Sequence, residues 1–206
     1  MERIIRFKTL KDLKDHINSL NFLPIGSGAE GNVYVTLLME AIKSCDTPYI
    51  YEPGKYIMEG DIKVSSFIFP REFFLYKDNI HGYRMAYFHG NVFKEKINLC
   101  NIDLDKVLEA RKKLINDALI MTDRGYKLID LPGNLLFDNK VFKAIDTLSY
   151  IKQDDHTGLK DINLSLVDKA ILHGLNPEED YRILIGDVNF DEHFEKIKKM
   201  KRDIYG

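Results

Sequence analysis

Two carboxylates and an amide stand in an order that can hold a metal ion against a phosphate. They are Asp130 and Asn134 in Asp130-Leu131-Pro132-Gly133-Asn134, and Asp146 in Ile145-Asp146-Thr147-Leu148. Their oxygens are hard donors of the kind that suits Mg²⁺, which is held by one or two carboxylates together with phosphate oxygens. The strand-like runs Leu135-Leu136-Phe137 and Val141-Phe142-Lys143-Ala144-Ile145 flank the turn signal Asp138-Asn139-Lys140. The segment therefore reads as a hairpin that brings Asn134 and Asp146 near one another. Asp and Asn also cap ordinary turns, which is the plainer account of Asp130 and Asn134.

A second constellation lies near the N-terminus, where Gly26, Gly28 and Gly31 are spaced G-x-G-x-x-G. Glycines at that spacing let backbone N–H groups approach a phosphate without side-chain obstruction. A dinucleotide-binding fold would need a helix after the last glycine and an acidic ribose ligand about 20 residues on. Instead Asn32-Val33-Tyr34-Val35 reads as a strand, and Glu52, near the required distance, sits in a Tyr-Glu-Pro-Gly turn. Taken alone, the glycine spacing also fits a tight turn with no ligand.

Gly-rich segment, hinge-like strand, long helix, Asp-Leu-Pro-Gly-Asn, hairpin and Asp follow one another as they do in the protein-kinase-like superfamily, and this chain resembles its small bacterial and phage members. The resemblance implies ATP and Mg²⁺ as ligands. By it Gly26, Ser27, Gly28, Gly31 and Val33 would cover the phosphates, and the Ala86-Tyr87-Phe88 stretch would contact the adenine, with Ala86 and Phe88 as binding residues. Asp130 would orient the acceptor hydroxyl, while Asn134 and Asp146 would hold Mg²⁺. The phosphate-binding lysine has three candidates. Lys43 in Glu40-Ala41-Ile42-Lys43 echoes the family wording, but Leu37 to Ala41 favours helix and no Gly, Pro, Asn or Asp makes a turn before it. Lys55 opens a strand-like run after a Pro-Gly turn and is preferred, with Lys63 as the third. The chain departs from the family pattern at Leu128-Ile129, which replace His-Arg. The Asp130-to-Asn134 loop is one residue shorter, and Thr147-Leu148 replace Phe-Gly.

Elements must position these residues. Thr9 caps a helix over 10–20 carrying Leu10, Leu13, Ile17 and Leu20 at helical spacing, and Asp103 caps a second that runs to about Met121. Strands separated by Lys77-Asp78-Asn79 fill 66–90. The polar stretch 151–161 suits an activation loop, and helices are expected over 164–172 and 190–200. The expected fold is α+β and two-lobed, with a β-rich lobe over 1–88 and a reduced helical lobe over 89–206.

Thirty basic and 32 acidic residues among 206 leave a net charge of −2, which argues against attachment to nucleic acid or membrane by bulk charge. No apolar run approaches the roughly 18 residues of a membrane span. Cys45 and Cys100 stand in no metal-ligand or disulfide pattern, and none of the six histidines joins a ligand cluster, so a cytoplasmic protein is expected. Three functions follow in order of preference. The first is a phosphotransferase acting on a protein Ser/Thr or a small-molecule hydroxyl. The second is a pseudokinase serving as a protein-binding regulatory module. The third is an α+β interaction protein whose glycines form only a turn.

Overall fold

The computed structural model describes residues 3–20, 22–28, 30–93, 99–175 and 186–205. The fold is α+β, and the chain forms two compact units, Met1–Lys63 with Ile68–Tyr87, and Val64–Phe67 with Phe88–Gly206.

The first unit is built on a six-stranded sheet of β1 (Ile4–Arg6), β2 (Phe22–Gly28), β3 (Gly31–Thr36), β4 (Glu40–Ile50), β5 (Pro70–Tyr76) and β6 (Asn79–Ala86), in the order β1-β5-β6-β4-β3-β2. Every pairing is antiparallel except β1 with β5. Between β5 and β6 the turn residues Lys77 and Asp78 both take positive φ, 48° and 56°, the geometry whose twist matches a two-residue hairpin. Phe73 and Phe74, neighbours on β5, are both fully buried, so both faces of the sheet are covered. Phe74 packs with Leu13 and Ile17 of α1 (Leu10–Ser19), while Phe73 meets the rings of Tyr51 and Tyr56 edge-on. Thr9 caps α1 as expected, its hydroxyl accepting from the Asp12 N–H at 3.0 Å.

Leu37 to Ala41 corrects the helical expectation, because β3 and β4 form a hairpin around Leu37-Leu38-Met39. The missing turn residue is replaced by two devices. The Thr36 hydroxyl accepts from the N–H groups of Leu38 and Glu40, and Met39 adopts φ 58°. Register with β3 and β6 outweighs local helix propensity, which differs by only about 0.7 kcal/mol per residue among ordinary residues.

In the second unit the amphipathic stripe gives α2 (Leu104–Asp123), with the Asp103 carboxylate accepting from the N–H groups of Asp105 and Lys106. It packs with α3 (Leu159–Leu175), and α3 with α4 (Phe190–Tyr205). Arg111, within the apolar stripe of α2, is accommodated by a two-pronged pair with Asp168 at 2.7 and 2.9 Å and by the Phe190 ring, 3.8 Å from its guanidinium carbon. Three short strands, β7 (Asn91–Val92), β9 (Leu135–Phe137) and β10 (Phe142–Ala144), form a sheet whose Phe137 and Phe142 rings meet Phe93 edge-on. The two ends of the expected activation loop are regular structure. Ile151–Lys152 (β11) pairs with Tyr126–Lys127 (β8), and α3 begins at Leu159, five residues before the helix expected there.

Residues 64–67 belong with this second unit. The buried Asp117 carboxylate of α2 accepts from the N–H groups of Ser65 and Ser66 at 2.9 and 2.6 Å, and the Ala144 N–H donates to the Ser66 carbonyl at 2.7 Å. Among the described residues no helix is long and apolar enough to cross a membrane.

Candidate functional site

The acidic constellation lies wholly within the second unit, and its approach is fixed by a residue outside the motif. Asn163 of α3 is fully buried. Its oxygen accepts from the Leu128 N–H at 2.9 Å, and its nitrogen donates to the Tyr126 carbonyl at 2.8 Å and the Thr122 hydroxyl at 2.9 Å. Buried Leu128 and Leu131 then anchor the chain on either side of Ile129 and Asp130. Asp130 itself takes φ 53° and Gly133 φ 90°, a backbone folded back so that the Asn134 N–H reaches the Leu131 carbonyl at 3.1 Å.

The expected hairpin follows. Leu135 faces Ala144 and Phe137 faces Phe142, while the Asp138 carboxylate accepts from the N–H groups of Lys140 and Val141 to set the turn. The Ile145 N–H donates to the Asn134 carbonyl at 2.9 Å, which places Asp146 one residue beyond the partner of Asn134. The Asn134 side-chain nitrogen donates to the Asp130 carbonyl at 2.9 Å and carboxylate at 3.2 Å. With its nitrogen so engaged, Asn134 offers its amide oxygen as the group suited to a cation. Asp146 adopts φ 61° and ψ 45° and opens a 3-10 helix, Thr147–Ser149. Thr147 and Leu148 are buried, so the pair that departs from the Phe-Gly wording fills core space.

Six described non-glycine residues have positive φ. Met39, Lys77, Asp78 and Asn139 sit in hairpin turns, whereas Asp130 and Asp146 do not. Left-handed backbone outside such turns costs about 1–3 kcal/mol and concentrates at functional sites.

Among the described residues no group of three or more His, Cys, Asp or Glu side chains is arranged to hold a metal ion. One carboxylate and one amide oxygen nevertheless fit Mg²⁺ brought in with a phosphate, since that ion keeps several ligands from water and phosphate rather than from a protein cage.

In the first unit, the glycine segment is the β2–β3 hairpin, with Gly28 opposite Gly31; Ala29 lies outside the described residues. Its glycines differ in kind. A Cβ on Gly31, at φ 138°, would stand 1.8 Å from the Ser44 carbonyl oxygen, so close packing against β4 requires that glycine. A Cβ on Gly26 would meet nothing within 4 Å, and Gly26 and Ser27 are exposed. Val33 lies on β3 between Gly26 and Lys43 in one row across the sheet. Lys43 is buried, and its amine pairs with the Glu30 carboxylate at 3.0 Å. Glu30 also accepts from the Tyr49 hydroxyl at 3.0 Å.

Lys55 does not begin a strand. It lies in an exposed turn closed by its N–H on the Glu52 carbonyl, and its amine pairs with Glu52 at 2.6 Å, a bond that raises its pKa. Lys63 is exposed. Ala86 ends β6, and the half-buried Phe88 ring is packed so close to Gly90 that a Cβ there would lie 2.5 Å from it.

Sequence reasoning missed Asn163, Asp117 and the Lys43–Glu30 pair. The first two carried one faint signal, a short polar side chain on the apolar face of a helix. Compared with known proteins, the chain matches no family model, and no curated protein matches it.

Proposed function

We propose that the chain is a protein-kinase-like phosphotransferase that binds Mg²⁺ and ATP and delivers phosphate to a protein Ser/Thr or small-molecule hydroxyl. The observation that carries this reading is the pair of left-handed aspartates, Asp130 and Asp146, at the two ends of the hairpin segment that begins with Asn134. Asn134 and Asp146 hold the metal, whose chemistry when bound is to neutralise charge on the phosphates, and Asp130 orients the acceptor hydroxyl. In the first unit the exposed backbone of Gly26 and Ser27 covers the phosphates. We assign the phosphate-binding amine to Lys43, which sits in the strand row of Gly26 and Val33, rather than to Lys55 in its exposed turn. The β-rich first unit and helical second unit support the kinase-like architecture, and the buried Cys45 and exposed Cys100, which form no disulfide, support a reducing, cytoplasmic setting.

Nucleotide binding without turnover is favoured by one observation. No helix lies between β4 and β5 to give Lys43 a carboxylate partner, and its amine pairs with Glu30 of the glycine hairpin.

Thermal unfolding with ATP, with and without Mg²⁺, tests the reading. A ligand that binds only the folded state stabilises it by about 2.7 kcal/mol at a hundredfold excess over its dissociation constant. The expected result is a Mg²⁺-dependent rise that Asp146→Ala removes. No rise, or one that Asp146→Ala leaves intact, overturns it.

A further inference from the structure

Tyr150 closes the 3-10 helix that Asp146 opens. Its N–H donates to the Thr147 carbonyl at 3.3 Å, and the Ser149 hydroxyl donates to the Asp146 carbonyl at 3.2 Å, so the two residues stand at the ends of one short turn of chain. The Tyr150 side chain is 6 % exposed, and its ring meets that of Phe67 edge-on at 5.9 Å. Its hydroxyl is enclosed and has no hydrogen-bond partner among the described residues. A buried tyrosine ordinarily brings its O–H to a partner, and an enclosed orphan donor is costly enough that such a position is filled by Phe when the ring alone matters. Burial, followed by the negative charge of Asp146 and then of Asp130, pushes the phenol up, so it remains a neutral donor.

We propose that the Tyr150 hydroxyl is the outer hydrogen-bond donor to the Asp146 carboxylate when that carboxylate holds a divalent cation, which makes Tyr150 a positioning residue of the site. This rests on the Mg²⁺-nucleotide reading. Carboxylates that ligate metals are themselves held by hydrogen bonds, and losing such an outer partner weakens metal affinity about 10–100-fold. A carboxylate has two oxygens, so one can face the cation while the other accepts from the phenol.

The test is Tyr150→Phe in the full chain. ATP affinity is measured by calorimetry, once with excess Mg²⁺ and once with a chelator, alongside the melting temperature without ligand. The expected result is an affinity for Mg²⁺-ATP about tenfold weaker than wild type, an unchanged affinity for metal-free ATP, and a ligand-free melting temperature equal to or above that of wild type. Equal Mg²⁺-ATP affinities in the two proteins overturn the proposal. So does a variant that melts lower without ligand, because the hydroxyl then has a partner in the resting fold. A wild type that gains no affinity from Mg²⁺ overturns the phosphotransferase reading itself, and the wild-type titration alone reveals that outcome.

Discussion

The acidic hairpin of the second unit and the glycine hairpin of the first are held in shape by different means. Asp130, Asn134 and Asp146 are shaped by short-range devices, namely left-handed backbone, the Asn134 amide on Asp130, and an Asx turn at Asp138, with Asn163 of α3 holding only the approach to them. Gly31, Val33 and Lys43 are set by register across β2, β3 and β4, and none of the three has a local reason for its position. A site fixed locally can be read from one short run of consecutive residues, here Asp130 to Asp146. One fixed by register cannot, because its members meet only when separate strands pair.

The largest expected effect tests the register side. Gly31→Ala should cost at least about 3 kcal/mol, since the new Cβ meets the Ser44 carbonyl and the backbone is one that L residues resist. Gly26→Ala should cost under about 0.5 kcal/mol, there being nothing within 4 Å of its Cβ. Denaturant midpoints of the two variants check the contrast, and equal losses would break it. Next comes Asn163→Ala, which leaves the Leu128 N–H and the Tyr126 carbonyl without that partner in a buried setting and should cost about 2–3 kcal/mol. If chemical unfolding shows a loss under about 1 kcal/mol, the approach to Asp130 is held by something other than Asn163.

Lys43→Met should also have only a small effect on stability. Its partner Glu30 is 54 % exposed at the side chain and stays hydrated when the amine is gone, so the change should be under about 1 kcal/mol. Its effect on binding should be far larger, with the ATP-dependent rise in melting temperature lost, whereas Lys55→Met should leave that rise unchanged. The opposite result would return the phosphate-binding role to Lys55.

Legibility in the sequence followed the same divide. The hairpin around Asp138-Asn139-Lys140, the Thr9 and Asp103 caps and the Lys77-Asp78 turn all rest on side chains that bond to backbone within a few residues, and each stands where the spacing predicts it. The β3–β4 turn escaped because Thr36 and Met39 do the work usually given to Gly or Asn. The parallel pairing of Ile4–Arg6 with β5 joins residues distant in sequence and leaves no local mark. Asn163 left only a faint mark for the same reason, as its partners lie far earlier in the chain, with the Leu128 N–H 35 residues away. For the candidate site, the motif named Asp130, Asn134 and Asp146, but the lysine waited on strand register.

The attachment of Ser65 and Ser66 to Asp117 makes the second unit discontinuous along the chain, and this bears on how the protein is made. As the chain leaves the ribosome, Ser66 emerges 51 residues before the carboxylate that will receive its N–H. The first unit's β5 and β6 are synthesised in that interval. A fragment beginning at Phe88 would leave the buried Asp117 without these donors and the Ala144 N–H without its acceptor, so the helical unit is not a piece that can be cut away and expected to keep its fold.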